Sequence, residues 1–169
     1  LFFCLNDRMI TSKPMKGTIK RGITLDEDCA LRDALYRSRK DRSENIMIVD
    51  MIRNDIGRVA QPGTIETTKL FEVEKYPTVW QMTSTVRGRV NQQNNKVMND
   101  DLPATSPGKK ISEIMAALFP CASITGAPKI ETMEIIEKLE NSPRKIYTGS
   151  IGMITPEGDS VWNVAIRTA

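Results

Sequence analysis

The loop Ser123-Ile124-Thr125-Gly126-Ala127-Pro128-Lys129 has residue types suited to holding an anion. Its small residues run into a helix, and Pro128 suits the first helical position because its φ is already fixed and its missing N–H would be unpaired there. Gly126 lets the backbone approach a ligand closely. The free N–H groups around Gly126, Ala127 and the first helical turn, with the positive end of the helix dipole, form a site for a carboxylate. A plain connection between two elements is the competing reading.

Other side chains stand where chemistry is conceivable. Lys16 lies in the Pro/Gly-bounded segment Pro14-Met15-Lys16-Gly17-Thr18, where an amine can face either a ligand or water. Glu44 follows Ser43 at an expected helix start, where the dipole alone already favours a carboxylate. Asp50, Arg53, Asn54 and Asp55 recur at three- and four-residue spacings and read as a structural network of hydrogen bonds and ion pairs. Gln81 cannot act as an acid or base near neutrality but can orient a hydroxyl or water. Arg167 offers bidentate recognition of a carboxylate, and Tyr147 a hydroxyl on an apolar body; strand-end packing explains both equally well. The chain has no histidine, so no imidazole can serve as base or ligand. Cys121, lacking such a base, reads as a small packing residue.

The elements that must position these residues follow from pattern. Residues 1–5 and 8–12 predict a hairpin around Asn6-Asp7. Thr24-Leu25-Asp26-Glu27 is a capping box opening a helix to about Arg39, and a second helix follows Ser43. Residues 64–90 alternate as strands, 91–108 read as a polar surface loop, and 110–119 and 128–139 as amphipathic helices. Residues 145–154 and 160–168 predict a hairpin turning at 156–159. Helices interspersed with antiparallel strands give an α+β class.

Bulk properties exclude several alternatives. With 169 residues the chain can bury one domain core. Its 24 basic and 21 acidic residues are mixed along the sequence, so there is no nucleic-acid footprint. The three cysteines have no metal spacing and predict free thiols in a reducing cytoplasm. No apolar run reaches the length of a membrane span.

Four segments in this order, Pro14–Thr18, Ser43–Asp55, Ser123–Lys129 and Tyr147–Gly152, resemble the chorismate-utilising enzymes along nearly the whole chain. Lysine in the first segment resembles the branch of aminodeoxychorismate synthase component I. The resemblance implies a four-layer sandwich of two antiparallel sheets flanked by helices. Residues 1–169 would be its central portion, with the N- and C-terminal parts missing. The segment after Arg167, with a glycine-rich turn and a second acidic metal ligand, is among those parts. Unpaired strand edges would then make the chain prone to self-association.

The same resemblance implies roles. Lys16 would be the nucleophile that attacks the chorismate ring. Forming its free amine at about pH 7.5 costs roughly 4 kcal/mol, so desolvation or a cationic neighbour must lower its pKa, with Lys20 and Arg21 the nearest cations in sequence. Glu44 would bind Mg²⁺, which would hold the ring carboxylate. Gln81 stands where anthranilate synthases carry a catalytic histidine, a departure that suits a lysine doing the covalent work. Ser123, Gly126, Tyr147 and Arg167 would contact the enolpyruvyl carboxylate region. The implied reaction is amination of chorismate to 4-amino-4-deoxychorismate, for folate and para-aminobenzoate synthesis. Its ammonia would come from a glutamine amidotransferase partner. Anthranilate synthase component I, isochorismate or salicylate synthase, and an inactive ligand- or partner-binding fragment are the alternatives.

Overall fold

In a computed structural model, residues 1–90 and 107–167 are described. The elements are β1 (Phe3–Asn6), β2 (Met9–Ser12), β3 (Met15–Lys20), α1 (Leu25–Arg37), α2 (Arg39–Gly57), β4 (Glu66–Lys75), β5 (Val79–Arg89), α3 (Pro107–Leu118), α4 (Lys129–Leu139), β6 (Ser150–Ile154) and β7 (Ser160–Val164). All seven strands pair antiparallel in one sheet, and with four helices the described residues are α+β as expected.

The long strand β5 organises the sheet. Its first half pairs with β3 and its second half with β2, so residues 9–20 run along it as one interrupted partner; β4 covers its other edge. From β2 the sheet continues through β1 and β7 to β6. Even-numbered β5 side chains meet α2: Ser84 Oγ donates to Asn45 Oδ1 at 2.5 Å, and Gly88 lies against Ile56. The main core joins Phe3, Leu5 and Ile10 of the sheet to Ile48, Val49, Ile52 and Ile56 of α2 and Ile111, Ile114 and Leu118 of α3. Each fully buried side chain of this size contributes about 1.5–3 kcal/mol by burial. A smaller core packs Leu35 against Trp80 and Met82.

Beside the small core, Arg21 Nε and Nη2 donate to Asp28 at 2.7 and 2.5 Å, and Trp80 Nε1 donates to Asp28 at 2.8 Å. The Arg21 guanidinium also stacks over the Trp80 ring, 4.7 Å from its centroid. Hydrogen bonds from Arg21 hold the Asp28 carboxyl far below the usual carboxylate range, against the opposing effect of burial and with help from Gly22 N–H and Trp80.

The expected boundaries shift in several places. Thr24 does cap α1, its hydroxyl accepting from Glu27 N–H at 3.2 Å, and Glu27 reaches back to Ile23 N–H at 2.8 Å. The second helix, however, begins at Arg39 rather than after Ser43. Ser38 ends α1 in an extended conformation and caps α2, accepting from Asp41 N–H at 3.3 Å. Glu44 is therefore the sixth residue of α2, beyond the first turn. Pro128 precedes α4 in an extended conformation as its cap residue, and Lys129 takes the first helical position. The first hairpin turns at Asp7-Arg8, both with positive φ, one residue later than expected. Residues 145–148 form turns rather than strand, and β6 starts only at Ser150. Of the expected loop at 91–108, residues 91–106 lie outside the described residues, while 107–108 open α3. Among the described residues, no helix is long and apolar enough to cross a membrane.

Candidate active site

Lys16 sits at an irregularity. The β3–β5 register shifts between Met15 and Thr18, and Gly17 there has φ +90°. A side chain at Gly17 would also press on Asp41 of α2, 2.9 Å from its Cβ. Glycine is required on both counts. The bulge re-aims the side chains beside it, and half-buried Lys16 faces a cavity of about 560 Å³.

That cavity gathers residues from distant parts of the chain. Gln81 reaches it from β5, where its Nε2 donates to Thr18 Oγ1 at 3.1 Å. Ser123 and Ile124 enter from the loop after α3, Ile52 from α2, and Arg167 from beyond β7. The Cys121 thiol and Ser123 hydroxyl lie 3.2 Å apart, and Cys121 is buried, consistent with packing. Arg167 adopts φ +51°, a conformation unusual for a residue with a side chain.

Charge in the lining is one-sided. Lys13, Lys16 and Arg167 line the cavity, and none of its described lining residues is acidic. Sequence reasoning missed Lys13; its amine pairs with Glu74 beyond the lining. Burial pushes the Glu74 carboxyl up, but hydrogen bonds from Lys13, Thr83 and Tyr76 together hold it below its ordinary value. Arg21, by contrast, is committed to Asp28 and Trp80, so it is Lys13 and Arg167 that share the cavity with Lys16. Low-dielectric walls lined with cations focus a positive potential and favour an anionic ligand.

Other expected site residues lie apart. Tyr147 is 62% exposed and lines a neighbouring cavity with Thr125, Met133 and Arg144. Ile124 contributes to both cavities, so the loop after α3 is the wall between them. Gly126 and Ala127 line neither. A side chain at Gly126 would press on Thr132 of α4, 3.0 Å away.

The expected network on α2 divides. Asp50 and Arg53 form an exposed 3.8 Å pair of little energetic weight. Asp55 is buried and receives a 2.7 Å hydrogen bond from Lys129 Nζ. Sequence reasoning did not single out Lys129, although one signal was present: a cation at the first position of a helix opposes the dipole and calls for a partner.

Glu44 lines neither cavity, and its ion pair is a loose 3.9 Å contact with Lys40. Among the described residues no three His, Cys, Asp or Glu side chains come together as a metal site. Glu44 alone does not constitute a Mg²⁺ site.

The comparisons agree with this architecture. The chain matches the chorismate binding enzyme family over residues 1–169. It is 44% identical over 160 residues to a probable chloroplastic aminodeoxychorismate synthase of Oryza sativa subsp. japonica, covering 95% of this chain and 16% of that protein. It is 40% identical over 162 residues to anthranilate synthase component 1 of Thermococcus kodakarensis, covering 96% of this chain and 34% of that protein. The crystal structure of anthranilate synthase component I from Streptococcus pneumoniae TIGR4 superposes with a TM-score of 0.76 at 31% identity, covering 98% of this chain and 33% of that one. The chain thus spans about a sixth to a third of the length of these relatives. A match along all 169 residues, on a sheet that brings Lys16, Gln81, Ser123 and Arg167 to one cavity, makes this chain a member of the chorismate-binding enzyme family.

Proposed function

We propose that the protein containing this chain aminates chorismate to 4-amino-4-deoxychorismate, with Lys16 as a covalent nucleophile. The observation that carries this is the cavity in which Lys16, Gln81 and Arg167 meet, with no carboxylate among its described lining residues. Chorismate is a dicarboxylate, and Arg167 suits one of its carboxylates. In the reaction the Lys16 amine bonds to the ring as the 4-hydroxyl departs as water. Ammonia then bonds at the 4-position as the lysine amine leaves. The net change is one hydroxyl exchanged for one amino group, with lysine regenerated. Gln81, held by Thr18, orients a hydroxyl or water without exchanging protons.

Mg²⁺ is proposed as a cofactor, with Glu44 as one ligand only in company with the second acidic ligand that the resemblance implies; Glu44 lines neither cavity, and no step depends on the metal. Ammonia from a glutamine amidotransferase partner and a cytoplasmic setting complete the proposal. The aminodeoxychorismate synthase relative supports this branch. Lysine at position 16 and glutamine at 81, in place of the alanine and histidine expected of anthranilate synthases, support it further.

The test supplies the active protein with chorismate, ammonium and Mg²⁺ and follows products by mass spectrometry. The expected product retains the enolpyruvyl side chain and carries amino in place of hydroxyl. Release of pyruvate with anthranilate, or no consumption of chorismate, would sink the proposal.

A further inference from the structure

The segment between α3 and α4 is held by one ammonium group. α3 ends at Leu118 and α4 begins at Lys129. Lys129 Nζ donates to Leu118 O at 3.1 Å and to Asp55 Oδ2 at 2.7 Å. It therefore joins the two ends of the loop to each other and ties both to α2. Within the loop, Ile124 N–H and Thr125 N–H both donate to Cys121 O, at 3.0 and 3.3 Å, as does the Thr125 hydroxyl at 3.3 Å. The loop is internally braced, and its placement is set where its ends are anchored.

That placement matters to the cavity. Ser123 and Ile124 of this loop line it, and so does Ile52, three residues before Asp55 on α2. The Lys129–Asp55 pair thus couples two walls of one cavity. It is also an expensive way to gain stability. Both side chains are nearly buried, at 13% and 9% exposure, and desolvation consumes most of what such a pair gains. Lys129 further opposes the α4 dipole. An apolar pair of similar volume would hold the fold as well but would lack the directional contacts to Asp55 and Leu118.

We infer that Lys129 and Asp55 are positioning residues that fix the Ser123–Ile124 wall of the substrate cavity. This rests on the proposed function, and it predicts a defect in substrate binding rather than in the chemical step.

The experiment compares wild type, Lys129→Met, Lys129→Arg and the double variant Lys129→Met/Asp55→Leu in the ammonium-dependent assay. Hydrogen exchange of residues 119–128 is followed in the ligand-free proteins. Lys129→Met should raise KM for chorismate about 10-fold or more with kcat little changed, and should speed exchange in 119–128 but not in β1 or β2. Lys129→Arg should recover part of the loss. The double variant should regain thermal stability but not KM, which separates positioning from mere folding. A double variant with wild-type KM, or Lys129→Met with unchanged KM and exchange, overturns the inference. If the wild type makes no aminodeoxychorismate, the proposed function fails; the exchange data then decide the loop's anchoring, with faster exchange supporting it and unchanged exchange refuting it.

Discussion

Gln81 Nε2 donates to Thr18 Oγ1 at 3.1 Å across a register pair of β3 and β5, two residues from Lys16. This contact fixes the strand just beyond the bulge that carries the lysine. Replacing Gln81 with leucine removes the donor while keeping the volume. Product formation should fall about 10-fold through misplacement of the amine, with the unfolding midpoint almost unchanged. Steady-state kinetics alongside circular dichroism checks this; full activity in the leucine variant would argue that Gln81 merely packs.

Lys16 itself is the sharper test. Lys16→Ala should lower aminodeoxychorismate formation by about 100-fold or more and leave the fold intact, since the side chain is only half-buried and has no ion-pair partner among the described residues. Mass spectrometry of the wild type quenched during turnover should reveal a lysine adduct absent from the variant. An alanine variant with near-normal turnover excludes covalent catalysis by this residue.

Gly17 tests the bulge. Alanine there must adopt φ +90° and meets Asp41 at 2.9 Å. The backbone alone costs about 1–2 kcal/mol, and the contact with Asp41 adds to it. Urea denaturation should show the loss as a lower midpoint. An unchanged midpoint would mean that the bulge relaxes freely.

Asp28 predicts a pH dependence. Its folded pKa is depressed, chiefly by hydrogen bonds from Arg21. The unfolded chain therefore takes up a proton at a higher pH than the folded one. The stabilisation is fully present above the unfolded carboxylate value of about 3.9 and is lost as pH falls from there through the lower folded value. Asp28→Asn should be less stable at neutral pH and should lose less on acidification below about pH 4. Parallel acid-dependence curves for the two proteins would contradict this.

Magnesium offers a last check. Among the described residues Glu44 belongs to no group of three His, Cys, Asp or Glu side chains that could hold a metal ion. A lone carboxylate competes poorly for an ion that dehydrates reluctantly. Calorimetry on residues 1–169 should show no saturable Mg²⁺ uptake below about 1 mM; tight stoichiometric binding would refute this.

Local chemistry determined much of this protein from sequence alone. The Thr24–Glu27 cap, the alternation in β4 and β5, and the apolar spacing of α3 depend on neighbours a few residues away, so they are legible in order and composition. The four motifs and the α+β class were legible for the same reason. Helix starts were less so, because Ser38 and Ser43 are equally good cap residues; the packing of α2 on the sheet selected the first and moved Glu44 out of the opening turn. The cavity was decided only in three dimensions. Lys13 joins Lys16 and Arg167 there, while Tyr147 falls behind the wall formed by Ile124. The Lys129–Asp55 pair spans 74 positions in sequence. No periodicity encodes such a pairing, because its strength comes from burial, and burial exists only once α2, α3 and α4 have packed together.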